Sequence, residues 1–335
     1  MRYICTAATL MATASHCLAG MQPLTDEELE LTQGQAFIGI DQYSQDGLDY
    51  TRMNLGLDIK IQMNADEVVF GEYPRAGETN TADIDFKDFA MGYIRDGEIV
   101  PFEMHDPFIE WAYDRSGGTD DFVGLRLGFG ESRGMVSFKA VSFTGNVDVV
   151  IAGDYTFPLQ LGPLTLEIPL QARGQSALVD ANGERDPVRA TYIGLPNGTS
   201  FEVDNPFFPL GPESINVGVN NCKLAIINDD MCFALSKYES MQIGRPLGNQ
   251  QYDFVDGLFV SFQSQPITWG RGATGETQVD TVTGAFFNIP RGSVEITPNE
   301  ASAGTPRVAT EFIDRGVGRF INHGYLDGTL EPYPK

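Results

Sequence analysis

Hydrophobic and polar residues alternate with a period of two along most of this chain. The alternating runs occupy residues 55–61, 82–86, 124–129, 135–143, 147–151, 157–170 and 257–263. Because successive side chains of a strand point to opposite faces, such runs predict strands that bury one face. The pattern predicts an all-β fold, arranged as an elongated antiparallel sandwich, a β-roll or an irregular solenoid.

Only one segment has the signature of a helix. Residues 25–28 form a capping box, in which the Thr25 hydroxyl accepts an amide hydrogen bond and Glu28 reaches back to the Thr25 amide. Gly34 is placed to end this helix after about two turns. We therefore expect one short helical segment within residues 20–36.

The first 19 residues have the pattern of a secretory signal peptide. Arg2 supplies a positive start, an uncharged and mostly apolar run follows, and small residues end it. We expect cleavage after Ala19, with Gly20 as the alternative, whereas a lipoprotein would begin at Cys17. The expected organisation is a signal peptide (1–19), a helical segment (20–36) and two β-rich regions, 37–204 and 205–335, which are continuous in one alternative.

The chain is strongly acidic. Asp and Glu total 46 against 22 Lys and Arg, which gives a net charge of −24 at pH 7. A negative field disfavours nucleic acid and anionic lipid, because phosphate contacts need clustered cations. Beyond the leader, no run approaches the roughly 18 apolar residues that a transmembrane helix needs. We therefore expect neither a nucleic-acid partner nor a transmembrane helix.

Cleavage of the leader would leave two cysteines, Cys222 and Cys232. They flank an apolar run followed by a polar turn at residues 228–230. In an oxidising compartment, cysteines that bracket such a segment are expected to form a disulfide. Free thiols are the alternative, and a zinc site is disfavoured because no further ligand lies nearby.

Two motifs match enzyme signatures, but their context argues against catalysis. Residues 130–134 match G-x-S-x-G, yet a second strand follows Ser132 where a nucleophile elbow requires a helix. We expect a hairpin turn there. Residues 270–275 match G-x-G-x-x-G, yet alternating β-branched residues follow them, so we expect a glycine loop and no dinucleotide site.

Glu103, His105 and Glu110 gather beside Trp111 in one predicted strand. Two carboxylates near an aromatic platform suit carbohydrate binding or glycoside cleavage. An ordinary surface strand would have the same composition, so no catalytic residue is assigned.

Asp180, Asn182 and Asp186 resemble part of a calcium-binding loop. The segment lacks the further oxygen ligand and the terminal glutamate of an EF-hand. A hairpin turn at Asn182-Gly183 would explain the same residues without a metal. Calcium is the only cofactor that the sequence suggests.

The sequence MQPLTDEELELTQGQAFIGI resembles the mature start of a group of secreted proteins of Gram-negative bacteria. Those chains open with a short acidic L-x-D-x-E-L helix closed by a G-Q pair. The segments ADIDFKDFAMG, GEIVPFEMHDPFIEWAYD and GLFVSFQSQPITW are similar to later parts of the same group. Some members carry pilus- or fimbria-associated labels. The resemblance implies a secreted or surface-exposed β-rich protein and assigns no catalytic residue.

Three functions fit these patterns. The first is an exported, non-enzymatic protein of the periplasm, outer surface or exterior, with a structural, adhesive or pilus-associated assembly role. Its sheet edges would contact other envelope or pilus proteins. The second is an outer-membrane β-barrel, although many strands look short. The third is a secreted polysaccharide-acting enzyme or carbohydrate-binding protein centred on residues 103–111.

Overall fold

The structure, a computed structural model, describes residues 38–95, 98–204, 211–224, 232–237, 240–248 and 251–295. Strands dominate these residues, and the helical elements among them are two 3-10 helices, Leu235–Lys237 and Gly272–Thr274. The all-β prediction is confirmed. None of the described helical segments is long and apolar enough to cross a lipid bilayer. The expected signal peptide (1–19) and short helix (20–36) lie outside the described residues.

The strands are numbered in chain order. They are β1 (Ile38–Gln45), β2 (Leu48–Leu55), β3 (Asp58–Ile61), β4 (Met63–Glu72), β5 (Ala82–Met91), β6 (Tyr93–Arg95), β7 (Glu98–Val100), β8 (Phe102–Asp114), β9 (Asp121–Phe143), β10 (Gly145–Leu161), β11 (Leu164–Gln175), β12 (Ala177–Val179), β13 (Tyr192–Gly194), β14 (Ser200–Asp204), β15 (Ser214–Asn220), β16 (Lys223–Leu224), β17 (Cys232–Ala234), β18 (Ser240–Ile243), β19 (Arg245–Gly248), β20 (Gln251–Asp253), β21 (Phe259–Gln263), β22 (Thr268–Trp269), β23 (Val279–Asp280) and β24 (Gly284–Glu295).

One sheet of 15 strands organises the fold. Hydrogen-bonded neighbours follow the order β1-β2-β8-β9-β18-β24-β10-β11-β14-β15-β16, and β3, β4, β5 and β21 pair with strands of this path or with one another. β10 and β24 run parallel, whereas the other described pairs of this sheet are antiparallel. Strands from before and after residue 205 alternate in it, so the expected boundary near that residue does not divide the sheet.

A two-residue turn joins β1 to β2. Asp46 and Gly47 have φ angles of 52° and 80°, and Gln45 pairs with Leu48. Positive φ at both central residues defines a type I′ turn, which favours Asp-Gly and matches the twist of the strands. The pair that closes such a turn exchanges both backbone hydrogen bonds, so alternate residues of β1 direct their backbone groups away from β2. The residues with outward-pointing backbone groups are Ile38, Ile40, Gln42 and Ser44.

The G-x-S-x-G segment lies inside a strand. β9 runs for 23 residues through Ser132, and the backbone of Ser132 exchanges hydrogen bonds of 2.8 and 3.0 Å with Val255. Gly134 has a φ of 136°, and a Cβ there would lie 2.8 Å from the Phe102 ring. The expected hairpin turn at residues 130–134 is therefore wrong. The glycine permits close packing and an unusual backbone angle, and the strand continues in the same direction.

The G-x-G-x-x-G segment, residues 270–275, is a loop as expected. It joins the two-residue strands β22 and β23 and contains one short 3-10 helix, which Gly275 ends in the left-handed conformation. A dinucleotide site would need these glycines to open an α-helix. The segment that follows is instead β23.

Aromatic rings dominate two buried clusters. In the larger, Phe86 stacks on Phe138 at 4.2 Å and meets Phe143 edge-on at 5.2 Å between ring centroids. In the smaller, the fully buried Trp269 meets Tyr50 edge-on at 5.6 Å. Offset and edge-on contacts of this kind add to the stabilisation that burial of the rings provides.

A fully buried ion pair fastens the segment before β13 to the large sheet. Arg189 Nε donates to Asp83 Oδ1 at 2.9 Å, and both side chains are 0% exposed. Arg189 also donates to the backbone carbonyls of Tyr73, at 2.8 Å, and Asn80. The amide of Ala285 donates to Asp83 Oδ2 at 3.0 Å. One charged pair thus joins segments that are far apart in the sequence.

Cys222 and Cys232 form the expected disulfide. Cys222 lies between β15 and β16 of the sheet path, and Cys232 begins β17 of a three-stranded sheet, β12-β13-β17. The bond therefore links two sheets.

Reduction of this disulfide is expected to lower the free energy of unfolding by about 2–3 kcal/mol. The disulfide restricts the unfolded chain, so its reduction raises the conformational entropy of the unfolded state. Urea denaturation with and without a reductant measures the change. A Cys222→Ser, Cys232→Ser double variant serves as the control and should be insensitive to the reductant. Equal stability of the oxidised and reduced wild type would contradict the prediction.

Candidate functional site

A row of alternating charges crosses four neighbouring strands. The register places Arg52 of β2 opposite both Asp41 of β1 and Glu110 of β8. Glu110 in turn lies opposite Arg126 of β9. Directly opposed residues share one face of an antiparallel pair, with Cβ atoms about 5 Å apart. Strand pairing itself therefore assembles these four residues, which we call the charged row.

Glu110 is the centre of the charged row, and its side chain is 0% exposed. Its carboxylate accepts hydrogen bonds from Arg52 Nε at 3.0 Å, Arg126 Nε at 2.7 Å and the Tyr43 hydroxyl at 2.8 Å. A buried carboxylate needs such partners, because hydrogen bonds and opposite charge must replace its lost hydration. Glu110 is thus the permanent counter-ion of two arginines.

A second carboxylate reaches the same arginines from the loop between β22 and β23. Glu276 accepts hydrogen bonds of 2.8 and 3.0 Å from Arg52 Nη2 and one of 3.1 Å from Arg126 Nη2. The backbone amide of Arg271 adds a bond of 3.1 Å. The Glu276 side chain is 23% exposed. Three groups therefore bind this carboxylate, which unlike Glu110 reaches solvent.

Aromatic rings surround the two guanidinium groups. The guanidinium of Arg52 lies 4.2 Å from the Phe108 ring centroid, and that of Arg126 lies 4.9 Å from the same ring. Arg126 is also 5.2 Å from the Phe259 ring and 5.3 Å from the Trp269 ring. Cation–π attraction is strongest where the cation is desolvated. The rings thus hold both arginines in place and keep water away from them.

The cluster shifts the pKa of two acids beside it. Burial, reinforced by the negative charge of Glu110, raises the pKa of Tyr43 well above its ordinary range, so the hydroxyl remains a donor. Burial alone would raise the pKa of Glu276. The positive charge of Arg126 and the hydrogen bonds from Arg52 outweigh burial and lower that pKa, so Glu276 is ionised at neutral pH.

Acidification is expected to remove the stabilisation that the Glu276 charge provides. A carboxyl group whose folded-state pKa is lowered stabilises fully above its unfolded-state pKa, about 4.3 for Glu, and loses this effect as the pH falls through the folded-state value. The gap in unfolding free energy between wild type and Glu276→Gln should therefore narrow below about pH 4.3. Urea denaturation at several pH values measures it, and a gap independent of pH would contradict the assignment.

A cavity of about 270 Å³ opens beside these groups, and we call it the arginine cavity. Its polar and apolar walls lie side by side, an arrangement typical of small-ligand sites. The polar wall includes Arg52, Arg126, Arg271, Thr274 and Glu276, and the apolar wall includes Phe108, Phe129, Leu258 and Phe259.

A second cavity, of about 360 Å³, contains Glu103 in its wall and is called the Glu103 cavity. Arg133 Nη2 lies 3.0 Å from a Glu103 carboxylate oxygen, and Lys60 Nζ lies 3.5 Å from the other. The wall also contains polar amides and aromatic rings. They belong to Tyr93, Gln242, Gln251 and Tyr252.

The predicted carbohydrate cluster is divided between the faces of β8. Glu103 and His105 lie on a partly exposed face, where the His105 ring centroid is 4.2 Å from that of Phe254. Glu110 points into the charged row, and Trp111, its neighbour along the strand, points to the opposite face. The structure thus keeps Glu103 and His105 on one face and places Glu110 in a different environment.

Asp180, Asn182 and Asp186 lie at the expected hairpin turn, which is confirmed. The Asp180 carboxylate accepts hydrogen bonds from the amides of Glu184, at 2.9 Å, and Asn182, at 2.8 Å, and these bonds lower its pKa. Asp186 accepts from the amide of Val188 at 3.2 Å. Within the described ranges, no group of three or more His, Cys, Asp and Glu side chains could hold a metal ion. The calcium site stays a prediction.

The sequence patterns identified Glu110 as a candidate but did not identify Arg52, Arg126 or Glu276. One feature of the sequence could have indicated Arg126. Arg126 stands in the middle of the alternating run 124–129, where a charged residue interrupts a segment of glycines and apolar residues. Such a residue, if buried, requires a partner of opposite charge.

The chain matches no protein-family model, no curated protein and no solved structure. Its function is therefore inferred from the charged row, the two cavities and the outer edge of β1.

Proposed function

We propose that this chain is an exported, non-enzymatic protein of the bacterial envelope or exterior, with a structural, adhesive or pilus-associated assembly role. It acts by contact, because the outer edge of β1 pairs with an extended segment of a partner protein. The observation that carries this proposal is the backbone edge of β1 that pairs with none of the described strands.

β1 is an edge strand, and β2 is its one partner among the described strands. Its alternate residues direct amide and carbonyl groups outward, and two of them, Ile38 and Ile40, have side chains that are 52% and 69% exposed. Proteins that avoid strand addition place lysine or proline on such edges. The β1 sequence, IGIDQYSQ, contains neither. The edge therefore suits β-augmentation, with the isoleucines adding apolar contact.

Two features support export, and the charge of the chain is compatible with it. The disulfide between Cys222 and Cys232 belongs to a class of bond that is rare in a reducing cytoplasm. Residues 1–19 have the leader pattern. The net charge of −24 favours solubility and disfavours nucleic acid as a partner.

Fractionation of producing cells, followed by mass spectrometry of the amino terminus, tests export. We expect the protein outside the cytoplasm, beginning at Gly20, with Cys222 and Cys232 oxidised. An uncut cytoplasmic product with both thiols reduced would contradict export.

Two substitutions at one position test the edge contact. Ile40→Pro removes an outward amide and leaves the bonds between β1 and β2 intact, whereas Ile40→Ala keeps the amide and removes the side chain. We expect chemical crosslinking to partners on intact cells to fall by up to about tenfold for Ile40→Pro, and less for Ile40→Ala. Leu164→Ala is the control, because Leu164 is similarly exposed, at 55%, in β11. Equal crosslinking of all three variants and wild type would refute the edge contact.

Carbohydrate binding is a second candidate function, favoured by the composition of the Glu103 cavity. The Glu103 carboxylate and the amides of Gln242 and Gln251 are groups that hydrogen-bond sugar hydroxyls. Tyr93 and Tyr252 supply apolar rings beside them. Cavities that combine rings with a few polar groups are typical of small-ligand sites.

A glycan array with the purified protein tests this candidate. We expect binding without turnover, because Glu110 is buried in ion pairs and is not positioned to act with Glu103 as a hydrolytic pair. Glu103→Gln should weaken binding, and Glu110→Gln, verified as folded, should not. Product release that depends on Glu103 and Glu110 would instead support a polysaccharide-acting enzyme.

A further inference from the structure

Glu110 and Glu276 share two arginines but differ in how firmly they are held. Glu110 belongs to β8, in the interior of the large sheet, and is 0% exposed. Glu276 is 23% exposed and belongs to a loop. That loop is anchored by β22 and β23, each only two residues long. Displacing Glu276 therefore requires few changes elsewhere, whereas displacing Glu110 would disrupt the sheet.

The groups around Glu276 form a ready-made carboxylate site. Arg52 binds both of its oxygens, Arg126 binds one, and the backbone amide of Arg271 binds the other. Arginine forks bind carboxylates with both charge and directional hydrogen bonds. The site would bind any carboxylate that reached the same position.

The charge balance sets the ligand class. Asp41 is paired with Arg271 at 3.0 Å. Without Glu276, the buried cations Arg52 and Arg126 therefore contact one carboxylate, that of Glu110, and these three groups carry a single excess positive charge. One carboxylate neutralises that charge, as Glu276 does. An unpaired charge in a poorly hydrated site costs free energy. The group that replaces Glu276 at the lowest cost in free energy is therefore another carboxylate.

The arginine cavity provides space for the rest of such a ligand. Its volume is about 270 Å³, and Phe108, Leu258 and Phe259 line it together with Arg52 and Arg126. The apolar wall suits an aliphatic or aromatic body.

We propose that the arginine cavity binds a small organic carboxylate, whose carboxylate group takes the place of Glu276 on Arg52 and Arg126. In the ligand-free protein, Glu276 occupies the position as an internal competitor. Ligand binding releases it, together with the loop between β22 and β23. The proposal is independent of any partner at the edge of β1.

Calorimetric titration of the full chain with benzoate tests the proposal. Glu276→Ala removes the internal competitor, so benzoate should bind this variant about tenfold more tightly than wild type, the equivalent of one charge-assisted interaction. Benzamide, which has the same shape without the charge, should bind neither protein. Glu103→Ala is the matched control, because it removes a carboxylate from another cavity and should leave benzoate affinity at the wild-type value.

Three outcomes would overturn the proposal. They are no saturable benzoate binding to either protein, equal affinity of Glu276→Ala and wild type, and benzamide binding as tightly as benzoate. If Glu276→Ala does not fold, Glu276→Gln gives the same comparison with the side-chain volume retained. Hydrogen exchange provides a second readout, because saturating benzoate should increase exchange at residues 270–278 of the wild type. Unchanged or slower exchange there would exclude displacement of Glu276.

Discussion

Replacing Glu110 with alanine is expected to lower the free energy of unfolding by about 3–5 kcal/mol, because it leaves buried charge without its counter-ion. The side chains of Arg52 and Arg126 are only 8% and 2% exposed, so water replaces the lost carboxylate poorly. Glu276 neutralises one of the two cations and leaves the other uncompensated. Equilibrium denaturation in urea measures the loss.

Glu103→Ala is the matched control, since it removes a carboxylate from the same strand. The partners of Glu103 are more exposed, with Lys60 at 67% and Arg133 at 38%. Exposed ion pairs contribute about 1 kcal/mol or less. If Glu103→Ala and Glu110→Ala lower the free energy of unfolding equally, burial does not explain how the charged row stabilises the protein.

Replacing Arg189 with alanine is expected to cost a similar amount, about 3–5 kcal/mol. It removes the hydrogen-bonded cation of the fully buried Asp83 carboxylate and leaves only Arg75, whose Nη1 lies 3.6 Å from Asp83 Oδ1. It also leaves the carbonyls of Tyr73 and Asn80 without a donor. Each buried group that loses its partner carries a desolvation penalty. Thermal and urea denaturation should both report the loss.

Arg115→Ala is the comparison for this second prediction. Arg115 bridges two carboxylates, those of Asp49 and Asp120, whereas Arg189 pairs with one, but the Arg115 side chain is 57% exposed. Its removal should change the unfolding free energy by about 1 kcal/mol or less. A loss as large as that of Arg189→Ala would show that the number of ion pairs, and not their burial, sets the cost.

Alternation predicted where the strands lie, and in the run 82–86 it also predicted that Ile84 and Phe86 are buried. In another run it did not predict which face is buried. In the run 124–129, the pattern by itself would place the leucines in the core. The structure instead buries Arg126, while Leu127 is 37% exposed. The glycines on the buried face make room for Phe108 and Trp269 from neighbouring elements. A single strand carries no information about those neighbours, so its orientation depends on the whole sheet.

The local sequence pattern did not predict the burial of Glu110 either. Its partners lie 58 residues before it, at Arg52, and 16 residues after it, at Arg126. Their meeting depends on the register of three strands, and a slip of one residue would turn Glu110 to the opposite face. Composition and spacing within residues 103–111 therefore suggested a surface cluster, and could not reveal the charged row.

The sequence also contains a turn signal that predicts the register of one strand pair. Asp46-Gly47 is among the strongest hairpin signals in any sequence, because both residues tolerate positive φ. It fixes the register of β1 on β2, and from there it determines which backbone groups point outward. By contrast, the disulfide was predicted from Cys222 and Cys232 alone, since bracketing cysteines need no knowledge of the sheet.

The parallel pairing of β10 with β24 limits the order in which the strands of the large sheet can pair. β24 pairs with β10 on one side and with β18 and β21 on the other, so a strand that begins at Gly284 completes a ladder that begins at Gly145. Synthesis of the first half alone cannot close the sheet, and contacts of such long sequence separation form slowly. The sheet can therefore be completed only after the late strands have been synthesised.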